Sequence, residues 1–363
     1  MARITTVTGD IAPEELGFTT MHEHTIADLT LLYEQIKDSI PPIPKEMLAL
    51  TIENLGFLRS GVSIFSKECS TLGEVDYMVN ELKAFKKIGG KTVVDASPIG
   101  IRGNANDLKN ASEKSGVHIV CATGLYKAHA RPEKFIGKSE EYLVSYFERE
   151  IYEGIDGTSV KPGFLKCALD TVTDEGKVHE YELTTLRACA KVAAKTGMSL
   201  HVHNNRPITN EQMLEAVDIV LNECGVKPDK LLMLHMDSIL RNPYKIIDYV
   251  SDIDTVRTID LDLQIKLLEM GVNISFDTWG TRVSILPDDY DRIKGLVELL
   301  KKGYASQIVL GHDLTDKSQG VSYGASGFNH FAQFVAPMLK QLNFGNEVFE
   351  KLTVENPARI LAY

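Results

Sequence analysis

The chain has 363 residues, of which 44% are hydrophobic and 25% are charged, the balance of a globular protein with a sizeable core. Its formal net charge of −11 argues against a nucleic-acid partner, because phosphate backbones demand a basic face. No apolar run approaches the length of a membrane span and no signal peptide is evident, so we expect a cytoplasmic protein without a membrane partner.

The five cysteines are odd in number, scattered along the chain and mostly set among apolar neighbours. No pair has the CxxC spacing of a metal-binding or redox motif. The pattern therefore predicts free thiols in a reducing compartment.

Short apolar strands alternate with helical patterns along the chain. The predicted strands are Phe18–Thr25, Lys91–Asp95, Val117–Ala122, Gly163–Ala168, Met198–His203, Leu231–His235, Val272–Asp277 and Gln307–Asp313. The predicted helices include Lys45–Ser60, Gly73–Ile88, Glu180–Thr196, Asn210–Cys224 and Asp260–Met270. The strands are apolar nearly throughout, as in a parallel sheet that is buried on both faces.

Eight β–α units without a linker predict an α/β protein, a closed (β/α)₈ TIM barrel that forms a single domain over residues 1–363. A doubly wound open sheet is the alternative. Its dinucleotide-binding form is weakened because no GxGxxG motif follows the first strand.

Residues that can bind metals cluster at the carboxyl ends of the predicted strands. His22 and His24 end the first strand and point to the same side, because side chains two apart on a strand share a face. Lys166 lies on the fourth strand, and later strands end in His203, His235 and Asp313. In a barrel these ends meet on one face, so we expect a metal-dependent active site there.

Lys166 interrupts an apolar strand. Burying a lysine is costly unless it is paired, and burial lowers its pKa towards the neutral amine. A neutral amine can take up carbon dioxide and become a carbamate, whose two oxygens can bridge two metal ions. The alternative is a lysine that is buried against a carboxylate such as Asp170.

Short motifs along nearly the whole chain resemble those of the phosphotriesterase-like members of the amidohydrolase superfamily. They are Met21–His24, Ala122–Tyr126, Arg149–Ile155, Pro162–Lys166, Phe276–Gly280, Gly311–Asp313 and Glu355–Arg359. The resemblance implies a binuclear metal centre at the carboxyl ends of the barrel strands. By position, it assigns His22, His24 and Asp313 to the more buried ion, His203 and His235 to the more exposed ion, and a carboxylated Lys166 with a hydroxide to the bridge.

The resemblance also implies a mechanism. Two divalent ions, which we expect to be zinc, with manganese or cobalt as alternatives, would lower the pKa of the bridging water, and the resulting hydroxide would attack the substrate. Asp313 would accept the proton and pass it to the leaving group. Tyr126 stands where lactonases of this group resemble one another in carrying a tyrosine beside the metals, which favours lactone hydrolysis.

The segment 238–259 is predicted to be an insertion beside the mouth of the barrel, relative to the compact members of the family. It carries Arg241 and Lys245, and the next loop adds Arg282. Because such side chains bind phosphate and carboxylate groups, we expect Arg282 and one of Arg241 or Lys245 to contact a small anionic substrate together with Tyr126. The alternative is that these are solvated loop charges.

We therefore expect a metal-dependent lactonase that acts on a phosphorylated sugar lactone. Hydrolysis of acyl-homoserine lactones or of organophosphate triesters on the same centre is the alternative, and amide hydrolysis is open. A non-catalytic binding protein on the barrel scaffold is the alternative of another class. Members of the family are often dimers, so a homodimer is the expected assembly.

Overall fold

The computed structural model describes residues 2–31, 43–241, 246–252, 256–281 and 286–363. The chain begins with a hairpin of β1 (Ile4–Thr6) and β2 (Gly9–Ile11). An eight-stranded parallel sheet follows, with the strands β3 (Thr19–Glu23), β4 (Thr92–Asp95), β5 (His118–Thr123), β6 (Phe164–Leu169), β7 (Leu200–Asn204), β8 (Leu231–Met233), β9 (Asn273–Phe276) and β10 (Ile308–Leu310).

Helices connect the strands on the outside of the sheet. The α-helices of the described residues are Leu55–Phe57, Lys67–Ser70, Val75–Lys87, Ala105–Ser115, Glu140–Glu153, Glu180–Thr196, Asn210–Asp218, Ile246–Ser251, Asp262–Glu269, Asp289–Lys301, Ala336–Gln341, Asn346–Glu350 and Asn356–Leu361. Four wider π-helical turns adjoin helices of this set, at Leu58–Val62, Ile219–Glu223, Phe331–Val335 and Lys351–Glu355.

The sheet follows chain order from β3 to β10, and its two ends meet. The backbone N–H of Asp313 donates to the carbonyl of His22 at 3.0 Å. Gly311 lies so close to the first strand that an added Cβ would stand 2.8 Å from the Cβ of His22. The predicted (β/α)₈ barrel is thus confirmed, and the alternative of an open sheet is wrong.

The apolar runs of the strands are explained by burial on both sides. Inward-facing residues form a core inside the barrel that includes Met21, Val94, Val120, Phe164, Leu232 and Val309. Outward-facing residues pack under the helices, as Leu165 and Leu200 do. The barrel is therefore a packed scaffold, and its polar residues are confined mainly to the strand ends.

The strands that were predicted to reach His235 and Asp313 end earlier in the structure, at Met233 and Leu310, and the local backbone conformation is the reason. His235 and Asp313 have φ values of 58° and 51°, a left-handed conformation that ends regular strand pairing before each of them. The predicted helix Lys45–Ser60 is wrong as one continuous element. A 3₁₀ turn at Lys45–Leu48 stops at Ala49, whose backbone is extended, and helix resumes only at Leu55–Phe57.

The long connection 24–74 and the helix that follows it hold the loop after β10. The Arg59 Nε donates to the carbonyl of Ser318 at 2.9 Å. Glu81 is buried and accepts the backbone N–H groups of Val321 and Ser322 at 2.7 and 2.9 Å. This loop is therefore fixed by polar contacts to the first β–α connection.

The predicted insertion 238–259 lies only partly within the described residues. The backbone N–H of Asp260 donates to the carbonyl of Leu240 at 2.8 Å, so the two ends of the segment meet. It contains the helix Ile246–Ser251. Its status as an insertion stays a prediction.

All five cysteines are free, and four of them are buried, which confirms the prediction of free thiols. None of the helices in the described part of the chain is long and apolar enough to cross a membrane.

Gly124 tests the close packing of β5 against β6. Its φ is 125°, and an added Cβ would lie 1.9 Å from the carbonyl oxygen of Lys166. We expect Gly124→Ala to lower the free energy of unfolding by more than about 3 kcal/mol in urea denaturation, because a backbone clash cannot relax by a rotamer change. The exposed Gly56 has no neighbour within 4 Å of an added Cβ, so Gly56→Ala should change the free energy of unfolding by less than about 1 kcal/mol. Equal effects of the two variants would contradict the packing.

Candidate metal centre

The first and last barrel strands bring together the three donors that were predicted for the more buried ion. His22 and His24 are buried at the end of β3. Their Nε2 atoms lie 3.6 and 3.2 Å from the same oxygen of Asp313. Two imidazole nitrogens and one carboxylate oxygen, grouped this closely, form a donor set that suits zinc or a similar divalent metal.

The two donors predicted for the more exposed ion also meet. The Nδ1 of His203 lies 2.7 Å from the Nε2 of His235. Two nitrogen ligands of one tetrahedral zinc ion are about 3.3 Å apart, so the two rings need to separate only slightly to bind one ion. The ring centroids of His22 and His235 are 4.7 Å apart, so the two groups of donors are neighbours.

Lys166 lies against His22, one of the donors that were predicted for the more buried ion. Its side chain is fully buried, and its Nζ lies 3.0 Å from the Nε2 of His22. Asp170, the alternative partner, is engaged elsewhere: its carboxylate lies 2.9 Å from the Nζ of Lys127. The six predicted ligands therefore converge on one face of the barrel, with the lysine among them.

The carboxylate of Asp277 fixes the orientation of two of these histidines. One oxygen bonds the Nδ1 of His22 at 2.8 Å, and the other bonds the Nδ1 of His235 at 2.9 Å. An Nδ1–H that donates to a carboxylate leaves the Nε2 lone pair free to face the other donors. Asp277 lies close enough to His22 and His235 for the three side chains to share a metal ion, but its oxygens face the outer nitrogens of the two rings. We assign it an orienting role.

The remaining two histidines also have polar neighbours on their outer sides. The Nδ1 of His24 lies 2.8 Å from the hydroxyl of Ser97. The Nε2 of His203 is buried and lies 3.5 Å from a carboxylate oxygen of Asp170. His24 is thus held from behind by a hydrogen bond, as is usual for histidines that bind metals, whereas the Nε2 of His203 has no hydrogen-bond partner in the described part of the chain.

The electrostatics of the cluster fit a cation. Burial, reinforced by Lys166, lowers the pKa of His22 to about 3, and burial together with His235 lowers that of His203 to about 3. Burial also lowers the pKa of Lys166 to about 8. Burial raises the pKa of Asp313, but the adjacent histidines outweigh it and hold the pKa well below its usual range. Neutral His22 and His203 beside an ionised Asp313 are forms that bind metal ions. At His235, burial lowers the pKa, but the carboxylate of Asp277 outweighs it and raises the pKa.

Of the predicted substrate contacts, Tyr126 lies beside the centre. Its ring is nearly buried and stands edge-on to the ring of His203, with centroids 5.3 Å apart. Arg241 has other partners: its guanidinium lies 3.4 Å from Asp291 and donates to the carbonyl of Leu286 at 2.6 Å. The substrate contact of Arg241 stays a prediction. Lys245 and Arg282 lie outside the described residues.

Known proteins are similar to this chain over nearly its whole length. The sequence pattern of the Phosphotriesterase family matches residues 2–361. The chain belongs to the phosphotriesterase family. This is a family of binuclear metal hydrolases, so the protein is a hydrolase, and its histidine and aspartate groups are suited to hold metal.

Several known proteins are similar to this chain over nearly their full lengths. The N-acetyltaurine hydrolase of Danio rerio is 25% identical over 99% of this chain and 98% of its own. The structure of a resiniferatoxin-binding protein from Rhodobacter sphaeroides is 26% identical, with a TM-score of 0.83 over 99% of this chain and 94% of that one. A variant of a phosphotriesterase-like lactonase from Deinococcus radiodurans is 25% identical, with a TM-score of 0.71 over 99% of both chains.

The sequence reasoning missed the groups that hold this phosphotriesterase-family centre from behind. Asp277, Ser97 and Asp170 contact ligands, and the buried Glu23 contacts the loop that carries Asp313. A signal was present, because Asp277 ends an apolar strand as the ligands do. His201, which shares a strand face with His203, packs on Phe164 with ring centroids 4.2 Å apart and lies 3.1 Å from the hydroxyl of Ser199.

Replacement of the orienting carboxylate tests this geometry. Asp277→Asn keeps the size of the side chain but removes an acceptor and the charge that fix His22 and His235. We expect the affinity for zinc to fall by about 10- to 100-fold, measured by competition with a chromophoric chelator. Asp174→Asn makes the same change at an exposed position and should leave the affinity unaltered. An Asp277→Asn protein with the affinity of the wild type would contradict the orienting role.

Proposed function

We propose that this protein is a metal-dependent lactonase that hydrolyses a small lactone, with a phosphorylated sugar lactone as the preferred substrate class. The observation that carries the proposal is the convergence of six donors, His22, His24, Lys166, His203, His235 and Asp313, on one face of the barrel of a hydrolase family. The similarity to the Deinococcus radiodurans lactonase supports the lactone class.

The roles of the side chains follow from their positions. His22, His24 and Asp313 would hold one divalent ion, His203 and His235 a second, and a carboxylated Lys166 would bridge them. Two bound ions would acidify a water molecule and polarise the substrate carbonyl. Asp313, which has a carboxylate oxygen 3.2 Å from the Nε2 of His24, would accept a proton and deliver it to the leaving oxygen.

Tyr126 is proposed to contact the substrate. Burial, joined by Asp170 and Asp313, raises the pKa of its phenol well above the usual value, so the hydroxyl stays protonated and can donate a hydrogen bond. Its edge-on contact with His203 keeps the ring beside the proposed centre.

The preference for an anionic substrate rests on Lys245 and Arg282. Two other cations of the surrounding loops have acidic partners: Lys127 pairs with Asp170 at 2.9 Å and Lys317 with Glu74 at 2.8 Å. Arg282 follows Trp279–Thr281 in the loop after β9, and an arginine there could bind a phosphate by paired hydrogen bonds.

Amide hydrolysis is the second candidate. It is favoured by the N-acetyltaurine hydrolase of Danio rerio, which is similar to this chain over nearly all of both sequences. An N-acyl aminosulfonate shares two features with a phosphorylated lactone, a carbonyl to be cleaved and an anionic group. The cytoplasmic location and the homodimer remain predictions.

A panel of substrates tests the function. The zinc- or manganese-loaded protein is assayed with paired aldonolactones with and without a terminal phosphate, an acyl-homoserine lactone, a neutral phosphotriester and N-acetyltaurine. We expect the highest kcat/KM for a phosphorylated lactone.

Arg282→Met should raise KM for that lactone at least about tenfold, because it removes a charge-assisted contact, and should leave KM for the unphosphorylated partner nearly unchanged. Equal effects of Arg282→Met on both lactones would exclude a contact between Arg282 and the phosphate. In the substrate panel, a preference for N-acetyltaurine would make amide hydrolysis, and not lactone hydrolysis, the function of the protein.

The bridging role of Lys166 has its own test. Lys166→Ala should lower kcat by at least about 100-fold and reduce the bound zinc from two ions per chain towards one, because the bridge is lost. Added short carboxylic acids should restore part of the lost kcat and part of the lost zinc. Full activity with two ions bound in the variant would refute the bridge. Metal content is measured by elemental analysis after gel filtration.

A further inference from the structure

We propose that Glu23 is a positioning residue, whose buried carboxylate clasps the backbone on both sides of Asp313 and thereby aims the Asp313 side chain at the metal centre. The inference rests on the proposed function, since it assumes that Asp313 is a ligand. Glu23 stands between His22 and His24 and, by strand alternation, points away from them.

The contacts of Glu23 bracket Asp313. One carboxylate oxygen accepts the backbone N–H of His312 at 2.8 Å and lies 2.7 Å from the Nδ1 of the same residue. The other oxygen accepts the backbone N–H of Leu314 at 3.1 Å. Between them, the N–H of Asp313 donates to the carbonyl of His22 at 3.0 Å. Three consecutive amides at the end of the last strand are thus held by two consecutive residues of the first strand.

This clasp fixes a residue whose backbone is unusual. Asp313 has a φ of 51°, a left-handed conformation that residues other than glycine adopt at a cost and keep only when their surroundings hold them. Rotation of either flanking peptide would swing the carboxylate, which now has one oxygen 3.2 Å from the Nε2 of His24. The amide contacts of Glu23 oppose that rotation on both sides.

The surroundings of Glu23 are consistent with a dedicated role. Its side chain is fully buried, and in the described part of the chain its only salt-bridge partner is His312. The ring of His312 is itself held, because it stacks on Phe331 with centroids 3.8 Å apart. A buried carboxylate is tolerated only where donors surround it, and here the donors come mainly from the loop that carries Asp313.

The test compares Glu23→Gln with a matched control. Glutamine has the same shape but offers one acceptor oxygen, so one of the amides beside Asp313 loses its partner. We expect the zinc affinity, measured by chelator competition, to fall about 10-fold or more. We also expect kcat on the best substrate to fall by a larger factor than the factor by which KM changes. In Glu81→Gln the same chemical change is made at another buried carboxylate, which clasps two amides further along the same loop. That control should lose stability in urea but keep the zinc affinity and kcat of the wild type.

Each outcome decides the proposal. A Glu23→Gln protein that loses stability yet keeps the zinc affinity and kcat of the wild type would overturn it. A wild-type protein that binds no metal would instead overturn the proposed function.

If Glu23→Gln does not fold, His312→Leu and His312→Asn replace it. Asparagine places an amide N–H near the position of Nδ1, whereas leucine has no donor. We expect the leucine variant to lose zinc affinity several-fold and the asparagine variant to recover most of it. Equal affinities in the two variants would contradict the clasp.

Discussion

The geometry of the candidate centre depends on one buried carboxylate, that of Asp277. It stands at the end of β9 and binds the outer nitrogens of His22 and His235, which belong to two other strands. Both rings therefore present their Nε2 atoms to the remaining donors. Without this constraint, each imidazole could rotate, and the close approach of His22 to Lys166 and of His235 to His203 would not be specified.

The same device recurs around the barrel. Asp95 at the end of β4 accepts the backbone N–H of Thr25, next to His24. Asp277 also accepts the backbone N–H of His235, at 3.0 Å. Carboxylates from one strand thus clasp the amides of a neighbouring strand beside the ligand that it carries. The two ligands with left-handed backbones, His235 and Asp313, are both held in this way, so their strain is compensated by buried, charge-assisted hydrogen bonds.

The fold and the convergence of the six candidate ligands on one face were predictable from the sequence because their signals are local. Apolar strands such as Phe164–Leu169 reveal a sheet that is buried on both faces, and a lysine or histidine at a strand end contrasts sharply with them. The role of Asp277 was not predictable in this way, because it depends on which strands become neighbours when the barrel closes. The partners of Arg241 were missed for a similar reason. Asp291 lies on a later helix, and only the folded chain brings the two side chains together.

The central claim is that the converged side chains hold two metal ions, and anomalous diffraction from crystals of the zinc-loaded protein tests it most directly. Data collected on both sides of the zinc absorption edge would locate each ion independently of the protein coordinates. The account predicts two anomalous peaks per chain, one ligated by His22, His24 and Asp313 and one by His203 and His235, with Asp277 bound to neither. A single peak, no peak at these residues, or an ion on the carboxylate of Asp277 would contradict it.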